Sequence, residues 1–135
     1  MSEQILAEGP NFPEGPAFDR RGRLWLVELK GGNLAFLENG KLTRIPVGGE
    51  PNGIAVDAQD RIVFCDAGNC SIRRHDPLSG ETVTLADSLD GEPLFMPNDL
   101  AFDPSGKLGL VVTEAESGQL VSLSAPGRGA TLLTH

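Results

Sequence analysis

The sequence predicts an all-β protein of the β-propeller class, built of three four-stranded blades. Three observations carry that expectation. The segments "PEGPAFDRRGRL" (13–24), "PNGIAVDAQDRI" (51–62) and "PNDLAFDPSGKL" (97–108) align without a gap, at offsets of 38 and 46 residues. Each copy holds four short strand-like runs separated by turn formers, and no stretch has a sustained helical period. Gly and Pro number 17 and 10 in 135 residues, which suits many turns. Four antiparallel strands repeated at about 40 residues give a propeller pattern, because one small sheet cannot cover both of its faces alone.

The elements of each copy follow in a fixed order. A Pro (13, 51 or 97) opens the copy, and a first strand runs through Ala17–Phe18, Ile54–Val56 or Leu100–Phe102. Next comes a turn, "DRRGR", "DAQDR" or "DPSGK", in which an Asp (19, 57 or 103) opens and a basic residue (Arg23, Arg61 or Lys107) closes. The basic residue leads into an apolar one, Leu24, Ile62 or Leu108, and the second strand: "RLWLVEL", "RIVFCD" or "KLGLVVTE". Third strands are "NLAFLE", "SIRRHD" and "QLVSLS"; fourth strands are "LTRIPV", "TVTLAD" and "ATLLT". The longest irregular stretch, "SLDGEPLFMPN" (88–98), joins copies two and three. No linker divides the chain, so residues 1–135 form one domain, with blades at about 13–50, 51–96 and 97–135. Residues 1–12 supply a closing outer strand through "QILAE", whose partner lies outside the chain or in another copy of it.

Composition narrows the function. A net charge of −8 argues against nucleic-acid binding and is compatible with attracting cations. No apolar run approaches the roughly 20 residues of a membrane span. The N-terminus has neither a basic nor an apolar signal region, so a cytoplasmic location is expected. Cys65 and Cys70 fit no zinc or C-x-x-C pattern and read as free thiols. Trp25 and Phe64 read as packing between blades, and His75 as a surface residue.

The first strand of each copy is expected innermost. Just before it stand Glu14, Asn52 and Asn98, three oxygen donors aimed by repeat symmetry at one central region. Hard cations such as Ca²⁺ take six to eight oxygen ligands, whereas zinc prefers His and Cys, absent from these positions. The second strands return to the same level at Glu28, Asp66 and Glu114. These could form an acidic rim, but the simpler reading makes them solvated loop ends. Three blades would leave two sheet faces in water, and such exposed patches mark interfaces. The expected partner is a second copy, as a homodimer, or a missing second half of the chain.

The motifs "FPEGPAFD…GRLWLVE", "PNGIAVD…RIVFCDAGN" and "PNDLAFDPSGKL" resemble the N-terminal half of the senescence-marker-protein/gluconolactonase family, which includes regucalcin-like lactonases. The resemblance covers essentially the whole chain. It implies half of a six-bladed propeller and a metal-dependent hydrolase of sugar lactones or related cyclic esters. It also implies an axial divalent metal, commonly Ca²⁺, with Mn²⁺ or Zn²⁺ as alternatives. By the same resemblance Glu14 is a metal ligand, Asn98 contacts metal or substrate, and Asn52 borders the substrate pocket. The Asp that serves the family as ligand and base comes from a later blade without a counterpart here. Within this chain a catalytic carboxylate could only be borrowed, for example Asp99 or Glu114. The alternative is a non-catalytic half-propeller that binds or assembles.

Overall fold

The computed structural model describes residues 1–105, 109–125 and 128–133, with side chains up to residue 124. The repeat columns at Lys107 and Leu108 and the end of the chain at His135 lie outside the described residues. All regular structure among the described residues is strand. Among the described residues no helix is long and apolar enough to cross a membrane.

Three four-stranded antiparallel sheets follow one another, each with its strands in chain order. The first holds β1 (Pro13–Phe18), β2 (Leu24–Glu28), β3 (Asn33–Glu38) and β4 (Lys41–Pro46). The second holds β5 (Pro51–Val56), β6 (Ile62–Asp66), β7 (Ser71–His75) and β8 (Thr82–Ala86). A two-stranded ribbon follows, β9 (Ser88–Leu89) with β10 (Glu92–Pro93). The third sheet holds β11 (Pro97–Phe102), β12 (Leu110–Glu114), β13 (Gln119–Ala125) and β14 (Arg128–Leu133).

The repeated Asp and basic columns have a shared local cause. Asp19 Oδ1 accepts the N–H groups of Arg21 and Arg23, and Asp57 Oδ1 those of Gln59 and Arg61. The second oxygen of each takes the Nε of the closing arginine, at 2.6 Å for Arg23 and 2.7 Å for Arg61. Asp19 Oδ2 also accepts Trp25 Nε1 at 2.9 Å. Asp103 makes the same kind of turn, accepting the N–H and hydroxyl of Ser105. The β3–β4 turn is Asn39-Gly40, with φ of 50° and 75°. Two positive φ angles give the turn whose twist matches the flanking strands.

Alternation along the strands sorts side chains into two cores. Trp25, Val27 and Leu34 from the first sheet meet Ile54, Ile62 and Phe64 from the second. Val63, Cys65 and Ile72 from the other face of the second sheet meet Leu100, Leu110, Val112 and Leu123 from the third. Trp25 and Phe64 have no exposed surface, so they pack between sheets as expected. Arg23 stacks over Trp25 and Phe36, at 5.3 and 5.0 Å from the ring centres.

Two expectations change. The first strands begin at the prolines, several residues earlier than expected. Leu29 N–H bonds Phe12 O, so Pro13 stands in the neighbouring non-hydrogen-bonded pair with Glu28, where a strand requires no N–H of it. Part of the stretch expected to be irregular is the β9–β10 ribbon, turned by Asp90-Gly91. Residues 1–12 pair with none of the described strands, and Ile5 and Leu6 remain 76% and 57% exposed.

Candidate functional site

The inner strands approach each other at their N-terminal ends. A Cβ added at Gly15 would lie 3.0 Å from Asn52 O and 3.1 Å from Ile54 N. One added at Gly53 would lie 2.6 Å from Asp99 Cα and 2.8 Å from Asn98 O. Gly15 and Gly53 therefore let β1, β5 and β11 come together where Glu14, Asn52 and Asn98 sit. Each strand also breaks register there, between Glu14 and Ala17, Pro51 and Ile54, and Pro97 and Asp99. Such bulges re-aim side chains, and they fall at the donor position in all three copies.

The three donors differ from the other polar residues nearby. Asn33 Nδ2 bonds Glu28 and Asn69 Nδ2 bonds Asp66, at 2.9 and 2.7 Å. No side-chain hydrogen bond or ion pair engages Glu14, Asn52 or Asn98 among the described residues. Glu14 is exposed, while Asn52 and Asn98 are half-buried. One carboxylate and two amides suit a hard cation rather than a soft one, but supply three ligands where Ca²⁺ takes six to eight. No three His, Cys, Asp or Glu side chains gather to hold a metal among the described residues. A cation here would need further oxygens from water, substrate or another chain segment.

Glu28, Asp66 and Glu114 are not solvated loop ends; their exposures are 1%, 0% and 3%. Each stands opposite the opening proline of its sheet. Glu28 accepts Asn11 N–H at 2.9 Å, Asn33 Nδ2 at 2.9 Å and Arg44 Nε at 3.0 Å. Asp66 accepts Glu50 N–H at 3.0 Å, Asn69 N–H and Nδ2, and Arg73 Nη1 at 3.0 Å. Glu114 accepts the N–H groups of Phe95 and Met96 and both the N–H and the hydroxyl of Ser117. Burial pushes the carboxyls of Glu28 and Asp66 up. Hydrogen bonds outweigh it and hold both below the usual range: Arg44, Asn33 and Asn11 for Glu28, Asn69, Glu50 and Arg73 for Asp66. An acidic rim open to solvent is therefore absent among these three residues.

The two candidate catalytic carboxylates differ in the same way. Glu114 is buried and fully engaged, whereas Asp99 is exposed. Asp99 Oδ1 accepts Leu100 N–H at 2.9 Å, which leaves its other oxygen without a protein partner among the described residues. His75 is not a surface residue: it is 3% exposed, and its Nδ1 shares a hydrogen bond with Thr82 Oγ1 at 2.9 Å. Cys65 and Cys70 are free thiols, and burial, then the charges of Asp99 and Glu114, push the Cys65 thiol far up.

Two grooves mark the surface of the described residues. One of about 840 Å³ opens at the far ends of the inner strands, with Phe18, Val56 and Phe102 on its wall. It shares no residue with the donor set, and its Asp19 and Asp57 are already paired to arginines. The donor end is the better candidate because its oxygen side chains are unengaged and its backbone is shaped around them. The second groove, about 380 Å³, lies between residues 5–10 and the outer face of the first sheet at Leu24, Leu26, Leu37 and Leu42. Glu14 borders it.

A model of the SMP-30/gluconolactonase/LRE-like region matches residues 12–123. No curated protein matches the sequence. Among solved structures, a gluconolactonase from Xanthomonas campestris superposes with a TM-score of 0.84 at 23% identity, over 96% of this chain and 50% of that one. A calcium-binding protein named regucalcin, from Agrobacterium tumefaciens, gives 0.72 at 22% identity, over 96% and 46%. A virginiamycin B lyase from Staphylococcus aureus gives 0.74 at 17% identity, over 90% and 41%. This chain thus spans about half the length of the structures it matches. At these identities the likeness establishes the propeller-type, all-strand fold.

Proposed function

The chain belongs to the SMP-30/gluconolactonase/LRE-like family, and from that premise we propose that it forms half of a metal-dependent lactonase-like hydrolase acting on sugar or related lactones. The observation that carries the reading is the unengaged oxygen set Glu14, Asn52 and Asn98 at three register breaks on adjoining strands. Glu14 would hold the metal through its carboxylate. Asn98 would hold metal or substrate through its amide oxygen, with Asn52 bordering the substrate. A bound Ca²⁺, or Mn²⁺ or Zn²⁺ in its place, supplies Lewis-acid polarisation of an ester carbonyl. Of the two candidate carboxylates, Asp99 is the better placed to take a proton from water, being exposed where Glu114 is saturated.

Three sheets make half of a six-bladed ring in this reading. The half-exposed leucines 24, 26 and 37 on the outer face of the first sheet need a cover, as does exposed Ala101 on the third. A second copy of the chain, or three further sheets continuing it, would provide that cover and the missing ligands. We place the protein in the cytoplasm, where two free thiols persist.

The test is acid release from δ-gluconolactone with and without Ca²⁺, Mn²⁺ or Zn²⁺, with spontaneous hydrolysis subtracted. Glu14→Gln is expected to abolish the metal-dependent rate. Equal rates for both proteins would remove Glu14 from the reaction. No turnover and no metal-dependent thermal shift in the wild type would favour a non-catalytic half-propeller that binds or assembles.

A further inference from the structure

We infer that Glu28, Asp66 and Glu114 are positioning residues for the donor set, each fixing the chain two or three residues before a donor side chain. This rests on the metal reading proposed above. Glu28 holds Asn11 N–H ahead of Glu14, and Asp66 holds Glu50 N–H ahead of Asn52. Glu114 holds Phe95 and Met96 N–H ahead of Asn98. The other side of each carboxylate ties down the chain just after the second strand, at Asn33, Asn69 or Ser117. The residue after each carboxylate adds a backbone bond to the residue before each proline: Leu29 to Phe12, Ala67 to Glu50 and Ala115 to Met96. The entry to every inner strand is therefore clamped on one side, and the register break follows on the other. The donor sits between the two.

Stability alone does not call for this arrangement. A buried carboxylate costs desolvation, and apolar packing of the same volume is often as stable. The charge is retained in all three copies at the donor end of the sheet. Backbone N–H groups before the ladder point at it, and only a fixed acceptor gathers two chain segments at one place. The copies differ in neutralisation: Arg44 pairs with Glu28 and Arg73 with Asp66, while no ion pair to Glu114 occurs among the described residues. Glu114 is therefore the position where the charge can be removed without stranding an arginine among the described residues. In Glu114→Gln, the amide oxygen can still accept from Phe95 and Met96 and the amide N–H can donate to the Ser117 hydroxyl, and of the bonds described only the 3.4 Å one from Ser117 N–H is lost.

The experiment compares Glu114→Ala, Glu114→Gln and Asp57→Ala in the 135-residue chain. Asp57 lies at the opposite end of the sheet and serves as a destabilising control. Ca²⁺ affinity is measured by titration calorimetry well below each Tm, and backbone hydrogen exchange is followed over residues 94–99. Glu114→Ala is expected to lose about 10- to 100-fold in Ca²⁺ affinity, the scale seen when a group orienting a ligand is removed. Exchange over 94–99 should quicken. Glu114→Gln should recover most of the affinity, and Asp57→Ala should keep it despite a lower Tm. Glu114→Ala that binds Ca²⁺ as tightly as wild type would overturn the positioning role and leave the metal reading intact. A wild type that binds no Ca²⁺ would overturn both.

Discussion

Replacing Asp19 by Ala tests the turn chemistry that recurs through the chain. The Asp19 side chain has no exposed surface and that of Arg23 only 10%. Its oxygens receive Arg21 N–H, Arg23 N–H, Arg23 Nε and Trp25 Nε1. Removing it strands a buried guanidinium and a buried indole N–H together. Breaking a buried pair by deleting one partner costs about 3–5 kcal/mol, a large share of the roughly 5–15 kcal/mol that holds a domain folded. In the equivalent Asp57 pair the side chains are 10% and 29% exposed, and no tryptophan is involved. Asp57→Ala should therefore cost less, about 1–2 kcal/mol. Trp25 is the sole tryptophan, so urea unfolding followed by its fluorescence reads the affected residue directly. Burial pushes the Asp19 carboxyl up, but the bonds from Trp25 and Arg23 outweigh it and hold it below 3.8. Its contribution is thus present above that pH and lost as pH falls through the lower folded value. Equal losses for the two variants, or less than about 1 kcal/mol for Asp19→Ala, would show that burial does not set the strength of these turns.

Two further outcomes follow from other parts of the molecule. Burial holds the His75 imidazole below 6.5, against a smaller opposing pull from Asp76. The unfolded chain then binds the proton more readily, so stability is full above about pH 6.5 and declines as pH falls toward the folded value. His75→Asn should flatten that decline in equilibrium urea midpoints, and an unchanged pH profile would exonerate His75. Gly53→Ala would drive a Cβ against Asp99 Oδ1 and within 2.8 Å of Asn98 O. It should cost about 1–3 kcal/mol and weaken Ca²⁺ binding, as read by thermal shift with and without the ion. Unchanged values for both would contradict the close approach of β5 and β11.

The repeats were legible because their conserved-spacing columns do local work. Asp19 with Arg23, and Asp57 with Arg61, each need the other at a fixed spacing to close a turn. The equivalence of Glu14, Asn52 and Asn98 was legible because each follows an opening proline. Burial was not legible. Glu28, Asp66 and Glu114 look solvated in one dimension because acids at strand ends usually are. The available signal was the polar residue three to five positions later in each copy, Asn33, Asn69 or Ser117. The strand starts were missed because proline argues against strand, and its position in a non-hydrogen-bonded pair depends on register. The ribbon had an Asp-Gly signal at 90–91 that the surrounding turn formers obscured.

The middle sheet has a consequence for cooperativity. Every residue of β6 is buried, whereas β2 and β12 are each partly open. Ile62 and Phe64 face one neighbour, and Val63 and Cys65 face the other. Stability in stacked repeats is approximately a sum of unit terms and nearest-neighbour terms. A single step along β6 thus switches which outer sheet is loosened by a truncation, and the second sheet acts as the joint through which one outer sheet senses the other.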